Sequence, residues 1–188
     1  MRMVYRWTTL LILVLLWGGC STPKAPEVYK QELDALLDSL YQTRMENGTV
    51  SEAQLQEGVK LTTQFLKAYP EDTVLAPRFT YEQIKFRTEL GQYGHALELI
   101  DTFRVRFPAH ELAPKMLHFK GYYIYEQGLQ DFDKARTTYE QFLAEYPAHD
   151  ELTEAVLFSL EHLGQSDEQI LESILEKAAE REKKQGGS

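Results

Sequence analysis

Histidine is the residue type in this chain best suited to holding a metal, and the spacing of the five histidines argues against such a site. His110 and His149 each follow Pro-Ala just before a predicted helix, so they occupy the same loop position in two copies of a repeated unit. Copies one unit apart lie about a helix pair from each other, too far to share zinc at bonds of ~2.1 Å. His95, His118 and His162 are isolated, and no His-x-x-x-His spacing is present. We therefore expect no metal and no cofactor.

Catalytic motifs are also missing from the sequence. It contains no Gly-x-Ser-x-Gly, no His-Glu-x-x-His and no phosphate-cradling glycine loop. The 29 acidic residues exceed the 20 Lys and Arg, giving a net charge of −9. On amphipathic helices the carboxylates are most simply the solvated face, and an acidic chain is a poor partner for nucleic acid. We expect neither an enzyme nor a nucleic-acid-binding protein, and an enzyme whose groups meet only in the fold stays as an alternative.

The only cysteine, Cys20, ends a segment typical of secretory leaders. Arg2 and Arg6 precede the apolar run 7–17, and Gly18-Gly19 follows it. A basic start, a short apolar run and small residues before a cleavage point predict a signal peptide over residues 1–19. The run is shorter than the roughly 20 apolar residues of a membrane span, although an uncleaved anchor remains the competing interpretation. A lone cysteine excludes an intramolecular disulfide.

The placement of Cys20 after Gly-Gly resembles the lipobox of bacterial lipoproteins. That resemblance implies that Cys20 is acylated, with palmitate among its acyl chains, and becomes the mature N-terminus, with residues 20–27 as a short tether. Two acyl chains supply the two hydrophobic signals that stable anchoring requires. Ser21, where an Asp would imply inner-membrane retention, points by the same resemblance to the periplasmic face of the outer membrane.

The aromatic run 119–125 is the feature most open to both a binding and a structural interpretation. On a helix through this run, Leu117, Gly121, Ile124 and Gly128 would form one narrow seam. Beside the seam lies a stripe of aromatic rings with polar tips, formed by His118, Tyr122 and Tyr125. Such rings are favoured at binding surfaces, but stripes of this kind are usually core.

Periodicity predicts an all-helical chain built from a repeated hairpin. Three segments end alike, 65–70, 103–108 and 142–147, each with Phe five residues before a Pro that closes a helix. A period in this range is typical of a solenoid. We predict eight helices in four hairpins and no strand, with helices at 28–45, 51–69, 74–90, 93–107, 112–128, 132–146, 150–163 and 167–183.

Two central hairpins carry an Ala twelve residues before the closing Pro, which resembles the signature of tetratricopeptide repeats. The Phe-to-Pro ending and the Leu-Ala-Pro starts at 75–77 and 112–114 resemble envelope lipoproteins of the BamD and YbgF kind. The resemblance implies a right-handed superhelical solenoid over residues 28–183, followed by a disordered tail at 184–188. Its structural positions would be Ala96, Phe103, Pro108, Gly121, Ala135, Phe142 and Pro147.

The same resemblance implies a scaffold that binds envelope proteins or peptides in a concave groove formed by first helices. The groove candidates are Tyr81, Lys85, Thr88, His118, Tyr122 and Tyr125. Outer-membrane protein assembly or envelope organisation is the implied process. A subunit acting directly on β-barrel precursors, and a peptidoglycan- or cell-wall-associated accessory factor, are the alternatives.

Overall fold

The computed structural model describes residues 23–148 and 150–185, and these fold into eight helices with no strand. The all-helical prediction is therefore confirmed. Predictions that fall on residues 1–22, including the leader and Cys20, and on His149 lie outside the described residues. The helices are α1 Pro26–Asn47, α2 Glu52–Ala68, α3 Ala76–Glu89, α4 Tyr93–Arg106, α5 Leu112–Phe119 with a wider helical segment Lys120–Glu126, α6 Phe132–Glu145, α7 Asp150–Glu161 and α8 Asp167–Gln185.

The helix ends follow signals that are visible in the sequence. Gly48 closes α1 in the left-handed conformation at φ 74°, where a side chain would be strained. Ser51 caps α2, because its Oγ accepts the Gln54 amide at 3.3 Å while the Gln54 side chain accepts the Ser51 amide at 3.1 Å. The same reciprocal pair opens α8 between Ser166 and Gln169.

The outer limits of the helices differ slightly from the predicted domain limits. α1 begins at Pro26, inside the predicted tether, because proline is well suited to the first turn of a helix, where its missing N–H has no intrahelical acceptor. α8 reaches Gln185, inside the predicted tail. Helical structure therefore begins before residue 28 and ends after residue 183, the predicted limits of the helical domain.

The three Phe-to-Pro segments that end α2, α4 and α6 also share one backbone conformation. The residues Tyr69, Phe107 and Tyr146, each just before the proline, have φ from −133° to −130° and ψ from 53° to 57°. Each amide donates to the carbonyl of the Phe four residues earlier at 2.8 Å. Those three Phe rings, at 65, 103 and 142, are at most 1 % exposed. The proline then stops the helix, since it has no N–H to continue the ladder.

Small residues allow the helices of each hairpin to approach closely. Ala96 and Ala135 are fully buried in α4 and α6. At the equivalent position of α2 stands Gly58, where an added Cβ would lie 2.5 Å from the ring of Phe86. The chain departs from the Ala pattern there because the Phe86 ring fills the space that a methyl group would need.

The core extends along the chain as three overlapping clusters of buried side chains. The first joins α1, α2 and α3, the second joins α3, α4 and α5 with its wider segment, and the third joins α5, α6 and α7. From α1 to α7, helices adjacent in sequence pack together, and α5 also contacts α3 and α7. In the described part of the chain, no helix combines the length and apolar composition needed to cross a bilayer.

Candidate functional site

The aromatic run lies on a helical segment with wider turns than the sequence predicts. After Phe119 the backbone changes to i→i+5 hydrogen bonding over Lys120–Glu126. The Gln127 amide donates to the Tyr122 carbonyl at 2.9 Å, and the Leu129 amide to Ile124 at 2.8 Å. Such π-helical turns are rare and occur frequently at functional sites.

The wider turn changes which side chains share a face. At ordinary α-helical spacing both Tyr125 and Glu126 follow His118 and Tyr122 on one face. Here Glu126 and Gln127 line one concavity with His118 and Tyr122, and Tyr125 does not. Tyr125 turns toward α6, where the Lys134 ammonium lies 5.7 Å from its ring centre. Tyr125, a predicted groove residue, therefore lies outside the concavity that His118 and Tyr122 line, because the prediction assumed 3.6 residues per turn throughout.

A continuous row of five aromatic rings crosses from α3 to α5 and its wider segment. We call it the aromatic row, and it consists of Tyr81, Phe119, Tyr123, Tyr122 and His118. Successive ring centres lie 6.3, 4.6, 4.9 and 5.9 Å apart, which is contact distance for aromatic pairs. Tyr123 is the most open member, with 47 % of its surface exposed.

The first end of the aromatic row lines a small concavity of about 300 Å³ between α1, α3 and α5. Here the structure brings together Tyr81, Lys85 and Thr88, the three α3 residues of the predicted groove. The Lys85 ammonium lies 5.2 Å from the centre of the Tyr81 ring and 2.7 Å from a Glu82 carboxylate oxygen. Arg44 also lines this concavity, and its guanidinium pairs with Glu89 at 2.6 Å.

The other end of the aromatic row lines a larger concavity of about 580 Å³, which we call the α5–α8 groove. His118 and Tyr122 form one wall, and their rings stack nearly parallel at 10°. The remaining lining residues come from the end of the π-helical segment, from α7, from the turns that follow these two elements and from the beginning of α8; they are Glu126, Gln127, Ala155, Phe158, Ser159, His162, Gln165, Asp167, Ile170, Leu171 and Ile174. Five of the six predicted groove residues thus line two separate concavities, and the half-buried Tyr125 packs against the third core cluster instead.

Burial sets the protonation of the aromatic groups in the α5–α8 groove. It lowers the pKa of His118, so this ring is neutral at pH 7 and acts as an aromatic surface. Burial also raises the pKa of Tyr122, and the carboxylates of Glu126 and Asp167 raise it further. Beneath the wall, burial and a hydrogen bond to Glu126 raise the pKa of Tyr139, which donates its hydroxyl to that carboxylate.

Several residues of these concavities were not predicted as site residues. Phe119 and Tyr123 complete the aromatic row, and both belong to the run that the sequence analysis had singled out. Glu126 could have been inferred, because it lies four residues after Tyr122 on the same helical face. Asp167 could not be predicted, because its position depends on how α8 is placed. Phe119 and Tyr123 connect the two concavities through the aromatic row, and Glu126 and Asp167 make the larger concavity acidic.

Two other histidines, His110 and His162, make contacts that support turns of the fold. His110 accepts the Leu112 amide at 3.1 Å on its Nδ1, and its ring contacts Phe103 and Phe107 edge-on. His162 is 6 % exposed, with its Nδ1 3.0 Å from the Gln165 side-chain oxygen. Among residues 23–148 and 150–185, no three His, Cys, Asp or Glu side chains are arranged to hold a metal ion.

The fold and site define an all-helical protein that presents an aromatic row between two concavities. Comparison with protein-family models, with curated proteins and with solved structures found no match. A function must therefore be inferred from the residues and geometry of this chain.

Proposed function

We propose that the protein is a lipid-anchored scaffold of the cell envelope that binds segments of other proteins along its aromatic row. In this proposal the four hairpins form a right-handed superhelical solenoid of tetratricopeptide-like repeats. The three equivalent helix endings and the buried Ala96 and Ala135 support a repeated unit. The contacts of α5 with α3 and α7 support stacking of first helices.

The aromatic row carries the binding proposal. It joins two concavities, and Tyr123 at its centre is 47 % exposed, so the row is not simply core. Tyrosine supplies a large contact area with a polar tip at low conformational cost, which is why it is enriched at binding hot spots. An exposed aromatic surface of this kind in a helical repeat favours a protein or peptide partner.

Site-specific crosslinking in intact envelopes tests the binding proposal. A photoreactive residue at position 123 should capture partner proteins, whereas the same residue at position 105 should not. Val105 is a suitable control because it is an apolar residue on α4, 82 % exposed, and lines neither concavity. Equal adducts at both positions, or none at 123, would contradict binding along the row.

The anchoring part of the proposal rests on Cys20 and places the scaffold at the outer membrane, facing the periplasm. Changing Cys20 to Ala should abolish metabolic labelling with a palmitate analogue and release the protein from the membrane fraction. The Ser21→Ala variant is the matched control and should keep both labelling and membrane association. Continued labelling of the Cys20→Ala variant would disprove acylation at this residue.

A further inference from the structure

The α5–α8 groove has features that identify the chemistry of its occupant. One wall is apolar and open to solvent, because Phe158, Leu171 and Ile174 line the groove while 48 %, 57 % and 45 % exposed. Leu175 lies one helical position further along α8 and is 60 % exposed. Adjacent exposed apolar side chains on two helices mark an interaction surface rather than a solvated face.

The form of the occupant follows from the walls of the groove. The described walls come from helices, from the π-helical segment and from the turn residues Gln127, His162 and Gln165, so no sheet edge offers backbone hydrogen bonds to an extended peptide. An incoming α-helix satisfies its own backbone groups and needs only side-chain contacts. The apolar residues at 171, 174 and 175 form a ridge against which another helix can pack.

The charge at one end of the groove specifies the polar part of the occupant. Glu126 and Asp167 line this end and are shared with an adjoining concavity of about 460 Å³ that adds Glu168. Neither concavity is lined by Lys or Arg in the described part of the chain. Asp167 has no ion pair among the described residues, and His118 is neutral at pH 7, so the carboxylates keep their negative potential.

We propose that the α5–α8 groove binds an amphipathic helix of a partner protein, with its apolar face on α7 and α8 and a Lys or Arg beside Asp167. This inference rests on the proposed protein-binding function and names the partner class for one end of the aromatic row. Opposite charges across an interface fix register and suppress wrong partners. The same carboxylates repel an acidic helix. They also repel a second copy of this chain that presents the acidic first turn of its own α8.

A displayed library of helical peptides provides the test with the full chain purified in detergent. Peptides of about sixteen residues, four to five turns, would be randomised on one apolar face and at both ends. The selected sequences should combine three or four large apolar residues on one face with Lys or Arg at one end. Fluorescence anisotropy then compares a selected peptide with a version in which its basic residues are Glu, which should not bind.

Matched variants locate the binding. Asp167→Asn should weaken the selected peptide about two- to fivefold, the range of half-exposed ion pairs. Ile174→Ala should weaken it about five- to thirtyfold, as expected of an apolar contact at the centre of an interface. Asp133→Asn, in the first turn of α6, and Val105→Ala, on α4, are controls of the same types outside the groove and should bind normally.

Selection of neutral or acidic peptides, or failure to select any, would overturn the inference. Peptide binding that neither Asp167→Asn nor Ile174→Ala weakens would also overturn the inference. So would a concentration-dependent dimer of the chain that Ile174→Ala dissociates, because the groove would then hold a second copy. In each of these cases, crosslinked adducts at position 123 in envelopes would still support the proposed protein-binding function. Failure of the groove inference can therefore be distinguished from failure of the proposed function.

Discussion

Gly121 offers the sharpest test of how the aromatic row is supported. A Cβ built on this residue would lie 2.7 Å from Cε1 and 3.0 Å from Cδ1 of Tyr139. Carbon atoms prefer separations of about 3.5–4.0 Å, so the ring would have to move by nearly 1 Å. Tyr139 has no exposed surface and its hydroxyl is bonded to Glu126, so the ring cannot give way.

The expected cost of Gly121→Ala follows from this contact. Overpacking costs about 1–3 kcal/mol, while replacing a helical glycine with alanine returns up to about 1 kcal/mol. We therefore expect a net loss of about 1–2 kcal/mol in the free energy of unfolding, measured by urea denaturation of the full chain. Gly94→Ala on α4 is the control, because an added Cβ meets nothing within 4 Å there. It should be neutral or slightly stabilising.

A double-mutant cycle assigns the cost to the Tyr139 ring. In a Tyr139→Leu background the Gly121→Ala substitution should lose most of its effect, since the smaller side chain can adapt. An equal cost in both backgrounds would show that the strain arises elsewhere in the π-helical segment. A Gly121→Ala variant as stable as Gly94→Ala would refute the close approach itself.

Three further outcomes are expected. Ala135→Leu should overpack the fully buried approach of α6 and lower unfolding stability by about 1–3 kcal/mol, and an unchanged melting temperature would contradict that packing. Because burial lowers the pKa of His118, this histidine binds a proton more readily in the unfolded state than in the folded state, so the free energy of unfolding should fall as the pH drops below 6.5. The His118→Gln variant should show a smaller decline, whereas His95→Gln, at an exposed position, should not. A hydrogen bond from Arg78 lowers the pKa of Asp34, so the ion pair stabilises the fold above pH 3.8 and stabilises it less as the pH falls further. Asp34→Asn should therefore lower the free energy of unfolding by at most about 1 kcal/mol at pH 7, and by progressively less in acid. A cost that does not change with pH would exclude the charge effect.

The all-helical class and the helix ends were largely predictable because their signals are local. Gly48, the Ser51 capping box and the closing prolines act within one helical turn, so each helix end could be inferred from neighbouring residues. The repeat of Phe65, Phe103 and Phe142 then showed which faces are buried. The partners of these faces depend on contacts distant in sequence, such as Phe86 over Gly58, and no spacing within one helix encodes them.

The site was predictable only up to the residue at which the helix widens. Hydrophobic periodicity places Gly121 in the buried seam and His118 with Tyr122, but it assumes a constant helical pitch. The π-helical segment turns Tyr125 toward Lys134 and away from the groove, whereas Glu126 stays on the face of Tyr122, four residues earlier. The acidic character of the groove therefore comes from two sources, Glu126 at the end of this segment and Asp167 at the start of α8. A preference for basic helices would originate in this pair of carboxylates, one beside the wide turn that Tyr139 and Gly121 pack against and one brought to it by the placement of α8.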